Sequence, residues 1–212
     1  MIAIIDYGVG NLYSLSSSLK HLNIETIITG KTEEIINADK IILPGVGAFE
    51  NAMAKLKEAG LVSLILDQAA KGKPLLGICL GMQLLFEESH EYGRHKGLGL
   101  IKGTIASIQE DLKEKNENEL NLKVPHIGWN RLNIKPEAEK DPIFKYFKDG
   151  GHVYYVHSFY GRNCTENTIA SSNYDLDIPG IVRNGSVYGI QFHPEKRGEV
   201  GLGLLKAFAS PL

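Results

Sequence analysis

Pro74-Leu75-Leu76-Gly77-Ile78-Cys79-Leu80-Gly81 is the stretch from which the rest of the chain is read. An apolar run entered through a proline predicts a buried strand over Leu75–Ile78, and the glycines on either side of Cys79 predict a tight turn. Gly81–Glu88 continues in a helical pattern. The segment therefore reads as strand, sharp turn and helix with a thiol at the apex, the form of the G-x-S-x-G elbow with sulfur replacing oxygen. Its residue types follow from geometry. So sharp a turn strains the backbone at Cys79, and side chains beside it would clash, so glycines are required there. The apex also stands at a helix N-terminus, whose dipole favours thiolate over thiol. The next amide, that of Leu80, points at any oxyanion formed beside the sulfur. On the motif alone, a buried cysteine in a tight turn is the open alternative.

On either side of the elbow, apolar β-rich runs alternate with helical patterns. Ile2–Ile5 ends at Asp6, Gly8 and Gly10; Ile24–Ile28 and Lys40–Leu43 follow, the last stopped by Pro44-Gly45. Asn11–Leu22 carries Leu12, Leu15, Leu19 and Leu22 on one helical stripe, and Phe49–Ala70 reads as a helix broken near Gly60. Strands that are apolar throughout are covered on both faces. The fold class is therefore α/β, an open, mostly parallel, doubly wound sheet flanked by helices. From Gly103 onward the period shortens to β-like runs at Thr104–Ile108, Lys123–Ile134, His152–Ser158, Thr168–Ser172, Ile178–Arg183 and Ser186–Phe192. A short helix at about Val200–Ala209 closes the chain. These runs predict additional antiparallel strands in the C-terminal half. Gln109–Glu119 is polar and reads as a solvated loop or hairpin tip. The chain's 212 residues fit a single domain spanning 1–212.

Composition excludes several function classes. With 23 basic and 25 acidic side chains the net charge is -2, and a nucleic-acid or anionic-membrane partner would want a basic excess. No segment approaches the roughly 18 apolar residues of a membrane span. The opening Met1–Gly10 reads as a buried strand, not a signal peptide. Two cysteines are too few for a secreted disulfide scaffold, which points to the cytoplasm. Cys164 lacks an adjacent base or elbow and reads as structural.

A nucleophilic thiol needs a base, and the base an orienter. Val187–Phe192 is an apolar strand that runs into His193-Pro194-Glu195. If the strand direction persists, both side chains leave one face. Glu195 would then take the proton on one imidazole nitrogen and leave the other for Cys79. A surface His–Glu pair or two metal ligands are the alternatives, and no third or fourth ligand is evident, so no metal is expected. No cofactor is expected either. Pro44-Gly45-Val46-Gly47 follows the third strand, where loops at the carboxyl ends converge in an open sheet. It can supply a second oxyanion amide, that of Val46, and the flanking glycines would let a peptide flip. Taken alone it is an ordinary turn into a helix. His126 and His157 read as hydrogen-bonded structural histidines.

Taken together, GICLGMQLLFEES, PGVGAF, KVPHIGWN, YYVHSFY and QFHPEK resemble the class I (triad) glutamine amidotransferases. Within that family they are most similar to the glutaminase subunits of imidazole glycerol phosphate synthases of histidine biosynthesis. The resemblance runs from Ile4-Asp6-Tyr7-Gly8-Gly10-Asn11 to the last helix. It implies a catalytic triad at Cys79, His193 and Glu195, oxyanion donors at Val46 and Leu80, and a glutamine pocket at Gly45, Gly47, Gln83, Glu91, Ser158 and Phe159. It also implies a (β/α)8-barrel cyclase partner in a heterodimer, with ammonia sent through the barrel and docking near Asn11, Trp129, Tyr154 and Lys196. Two features depart from the family pattern: Arg197 stands where a small residue is expected, and the 109–119 stretch is long. Two other functions fit the motifs: a paralogous glutaminase supplying an amidino group of a surface sugar, and a non-catalytic scaffold subunit.

Overall fold

In β1 (Ile2–Ile5) every side chain is buried, Ile2 and Ile4 in one core and Ala3 and Ile5 in another. Neighbouring strand residues point to opposite faces, so a strand with no polar position needs a layer on each side. The computed structural model, which describes residues 1–116, 122–196 and 198–211, has both layers. On one face α1 (Leu12–His21) brings Leu15 and Leu19 to Ile2 and Ile4. After β2 (Thr26–Thr29) comes a six-residue helix, α2 (Thr32–Asn37), which the sequence pattern did not announce because Ile35 is its sole buried residue. β3 (Lys40–Gly45) leads to α3 (Phe49–Glu58) and α4 (Leu61–Ala70), separated at Gly60 with φ 69°, where the break is predicted. These helices place Phe49, Met53, Leu56, Leu61 and Ile65 on the opposite face from α1. Truncating fully buried Ile4 or Leu43 to alanine would cost about 2–5 kcal/mol.

β4 (Leu75–Cys79) and α5 (Leu80–Leu84) form the elbow. The helix is shorter than the Gly81–Glu88 expectation. Residues from 86 form a strand, β5 (Phe86–Ser89), because the returning chain claims the carbonyls that a longer helix would use. Leu98 N–H donates to Leu84 O and Ile101 N–H to Leu85 O, at 2.8 and 2.9 Å. With β6 (His95–Lys96), β7 (Ile101–Ser107) and the later β11, β5 makes a four-stranded sheet of its own.

The polar stretch is a second correction. Ile108–Lys115 is a helix, α6, not a loop, and residues 117–119 of that stretch lie outside the described residues. Ser107 caps α6 by accepting from Glu110 N–H, Ile108 and Leu112 are buried four apart, and Asp111 binds Tyr160 and Arg162. Two apolar residues in eight were too thin a periodic signal to read.

The predicted run 123–134 splits into β8 (His126–Arg131) and β9 (Asn133–Ile134) around buried Leu132. β10 (His152–His157) pairs with β8 as a two-stranded ribbon, and β11 (Phe159–Arg162) joins β7. β12 (Thr168–Asn173), β13 (Asp177–Asn184) and β14 (Val187–Ile190) return to the main sheet, and α7 (Glu199–Ala209) packs Leu204, Leu205 and Phe208 beside α1. The main sheet has the order β2-β1-β3-β4-β14-β13-β12-β9. Its first five strands are parallel and the rest antiparallel, the mixed architecture predicted. No described helix is long and apolar enough to cross a membrane.

Candidate active site

β3, β4 and β14 are neighbours in the sheet and run the same way, with Gly45 beside Cys79 and Ile190 beside Ile78 in register. Their carboxyl ends therefore deliver the Gly45–Gly47 loop, Cys79 and the His193 segment to one spot. At Cys79 the backbone has φ 55° and ψ -115°, a region that L residues rarely occupy. The surrounding glycines are required by contact. A Cβ on Gly77 would lie 2.6 Å from Gly81 O, and one on Gly45 would lie 2.7 Å from Gly81 N.

His193 is fixed from three sides. Its N–H donates to Tyr154 O at 3.0 Å, and its Nδ1 lies 2.8 Å from Glu195 Oε1. The other side of the ring faces the Cys79 thiol. Both partners of the His193–Glu195 pair are buried. Burial pushes the imidazole pKa down, but hydrogen bonds to Cys79 and Glu195 and their negative field outweigh it, so it is raised to about 10.

A cavity of about 380 Å³ opens beside the sulfur. Val46, Gly47, Leu80, Gln83, Glu91, Ser158 and Phe159 all line it, together with Cys79 and His193. Gly45 instead borders a narrow cleft behind it, shared with Asn11, His193 and Glu195. Gln83 is buried and donates from Nε2 to Phe159 O at 3.0 Å and to Gln191 Oε1 at 3.1 Å. Glu91 accepts the Phe49 N–H at 2.6 Å, at the start of the helix after the Val46 loop. Burial raises its carboxyl pKa, against the pull of that N–H and of His95.

Sequence reasoning missed Gln191, which anchors Gln83, and Tyr7, whose buried hydroxyl donates to Pro44 O at 2.8 Å. Burial and then the negative field of Cys79 raise the Tyr7 phenol, which sets it close to the sulfur. Both lie in segments that carry the family resemblance, but nothing in a single sequence gave either a role of its own. A thiol beside a buried imidazole that a carboxylate holds, with a helix start and a glycine loop adjoining, can attack an acyl carbon and shelter the resulting oxyanion.

The family model for glutamine amidotransferase class I matches residues 3–209. The chain belongs to the class I glutamine amidotransferase family. Two curated relatives are called imidazole glycerol phosphate synthase subunit HisH. The one from Geobacillus sp. (strain WCH70) is 47% identical over 211 residues, 99% of this chain and 96% of the relative. The one from Oceanobacillus iheyensis is 49% identical, covering 98% of each. Among solved structures, PurLQS from Thermotoga maritima aligns with a TM-score of 0.71 at 20% identity, over 98% of this chain and 96% of that one. A crystal structure described as a glutamine amidotransferase also gives 0.71, at 21% identity, over 98% and 99%. At these identities the structures attest the fold.

On the surface of this amidotransferase, Trp129 and Tyr154 face each other across β8 and β10 with ring centroids 5.6 Å apart, and Lys196 Nζ lies 5.8 Å from the Tyr154 ring. Trp129 is 53% exposed and Ile127 57%, so an apolar ladder continues along the outer face of the ribbon. Arg197 lies outside the described residues.

Proposed function

We propose that this chain is the glutaminase subunit of an imidazole glycerol phosphate synthase, one domain working in the cytoplasm as a heterodimer with a (β/α)8-barrel cyclase. The observation that carries the reading is the pairing of a thiol on a strained elbow with a buried His193–Glu195 pair at the mouth of an amino-acid-sized cavity. The near-full-length identity to proteins called HisH supports the choice of partner and pathway.

In this mechanism His193, already protonated near pH 7, holds Cys79 as the thiolate that attacks the side-chain amide carbon of glutamine. The oxyanion lies against the amides of Leu80 and Val46, each worth about 3 kcal/mol. The raised basicity of His193 then changes with the reaction. Two of the influences that raise it come from Cys79, and they vanish once the sulfur is acylated. The imidazolium can then release its proton to the departing ammonia. Glu195 keeps the ring oriented while His193 next takes a proton from water, whose attack releases glutamate from the thioester. Gln83, Glu91 and the Ser158–Phe159 backbone hold the amino-acid end, and ammonia leaves toward the partner across the face that includes Asn11, Trp129, Tyr154 and Lys196.

The test is glutamate formation by the purified chain with and without a barrel cyclase and its nucleotide substrate. Turnover that needs Cys79 and rises on adding both supports the reading. Turnover already at the full rate without partner removes the dependence on the cyclase, and no turnover in either case removes the function.

A further inference from the structure

His126 and His157 are cross-strand neighbours on β8 and β10, buried and outside the Cys79–His193–Glu195 group. His126 Nδ1 lies 3.0 Å from His157 Nε2, and His157 Nδ1 lies 2.8 Å from Phe159 O. A carbonyl oxygen accepts and never donates, so His157 carries its proton on Nδ1. Burial pushes the His126 pKa down to about 4. Burial, offset in part by the Phe159 bond, takes His157 down to about 3, so both rings are neutral near pH 7. A neutral ring protonated on Nδ1 has a lone pair on Nε2. His126 Nδ1 is therefore the donor to His157, and its own Nε2 accepts from Asn130 Nδ2 at 3.3 Å. The Asn130 amide is fixed in turn. Its Nδ2 donates to Asn173 O at 2.9 Å, and its Oδ1 accepts the Arg131 N–H at 2.8 Å. Tyr155 and Tyr174 stack on the His126 ring, with centroids at 4.6 and 3.9 Å.

We propose that His126 and His157 are positioning residues for the substrate. The one-way chain Asn130→His126→His157 delivers a single N–H to the Phe159 carbonyl and so holds the Phe159–Tyr160 peptide, fixing the cavity wall that Ser158 and Phe159 form. This rests on the glutaminase reading above. The same carbonyl accepts Gln83 Nε2 at 3.0 Å, and Ser158 O accepts the Ile108 N–H at 3.0 Å. With the Ser158 and Phe159 carbonyls both engaged, neither of the two peptides that flank Phe159 can rotate without breaking hydrogen bonds. The role of His126 is to choose the tautomer of His157. Without its donor, His157 is free to move its proton to Nε2, and a lone pair would then face the Phe159 oxygen.

Two measurements on the full-length chain test this. Long-range proton–nitrogen NMR reports the tautomers, and both histidines should be protonated on Nδ1; a His157 protonated on Nε2 overturns the proposal outright. Concentration-dependent labelling of Cys79 by the chloroketone analogue of glutamine reports pocket occupancy. His157→Leu and His126→Phe should raise the half-saturating concentration about tenfold, in keeping with one buried hydrogen bond lost, while the limiting labelling rate holds. His157→Asn, whose amide keeps an N–H near the Nδ1 position, should recover most of the affinity. Unchanged half-saturation in the Leu and Phe variants, or equal losses in Asn and Leu, contradicts the proposal. Should His157→Leu fail to fold, His126→Phe and the wild-type spectrum still decide. Absence of any labelling in the wild type would instead count against the glutaminase reading, and the tautomer result would stand apart from it.

Discussion

A Cβ built on Gly81 would lie 1.9 Å from the carbonyl oxygen of Leu43, so the elbow helix and the strand leading to the Val46 loop touch backbone to backbone. That contact sets the Cys79 turn against the neighbouring loop and leaves no room for any side chain at position 81. Gly81→Ala should therefore destabilise the chain by more than about 3 kcal/mol in denaturant unfolding. Gly185→Ala is the control. Its φ is 59° with nothing within 4 Å, and the cost should be about 1–2 kcal/mol.

Strain at Cys79 is separable from its chemistry. Replacing it by alanine or glycine removes the thiol in both cases, yet only glycine tolerates φ 55°. Cys79→Gly should be more stable than Cys79→Ala by about 1–3 kcal/mol, the reverse of the ordinary ranking. Equal stabilities by chemical unfolding would show that the turn is relaxed.

The buried Glu195 carboxylate should be visible in the titration of His193. In Glu195→Gln the imidazole pKa should fall from about 10 toward the ordinary value. A raised folded-state pKa contributes stability that is complete below the unfolded value of about 6.5 and is lost as pH rises through about 10. The wild type should therefore lose stability over that window, and the variant should lose less. Unfolding midpoints measured across pH 6–10, with the His193 ring followed by NMR, check both statements.

Trp129 offers a test of docking. A half-exposed indole beside Tyr154 and Lys196 has the character of an interface anchor. Trp129→Ala should weaken binding to a barrel cyclase by about 2 kcal/mol, roughly thirtyfold in Kd by calorimetry. Unaltered affinity would move the interface elsewhere.

What could be read from the sequence was the part written in continuous pattern. β1, β3 and β4 are apolar at consecutive positions because helices cover both faces, and Gly77 and Gly81 are glycines because backbone approaches them. The end of α5 was not legible, since the chain that cuts it short returns more than ten residues later to take the carbonyls of Leu84 and Leu85. Nor was α6, whose Asp111 is held by Tyr160 and Arg162, about fifty residues on. Gln191 and Tyr7 act through single long-range hydrogen bonds, to Gln83 and Pro44, that leave no period and no spacing.

The central claim is that the sulfur of Cys79 carries the glutamyl group, and mass spectrometry of acid-quenched turnover tests it most directly. With glutamine and an active partner present, the peptide containing Cys79 should gain the mass of glutamine less ammonia, and Cys79→Ser should abolish both that adduct and glutamate release. Glutamate formed at full rate by the Cys79→Ser chain, or an adduct found on Cys164 instead, would contradict the account.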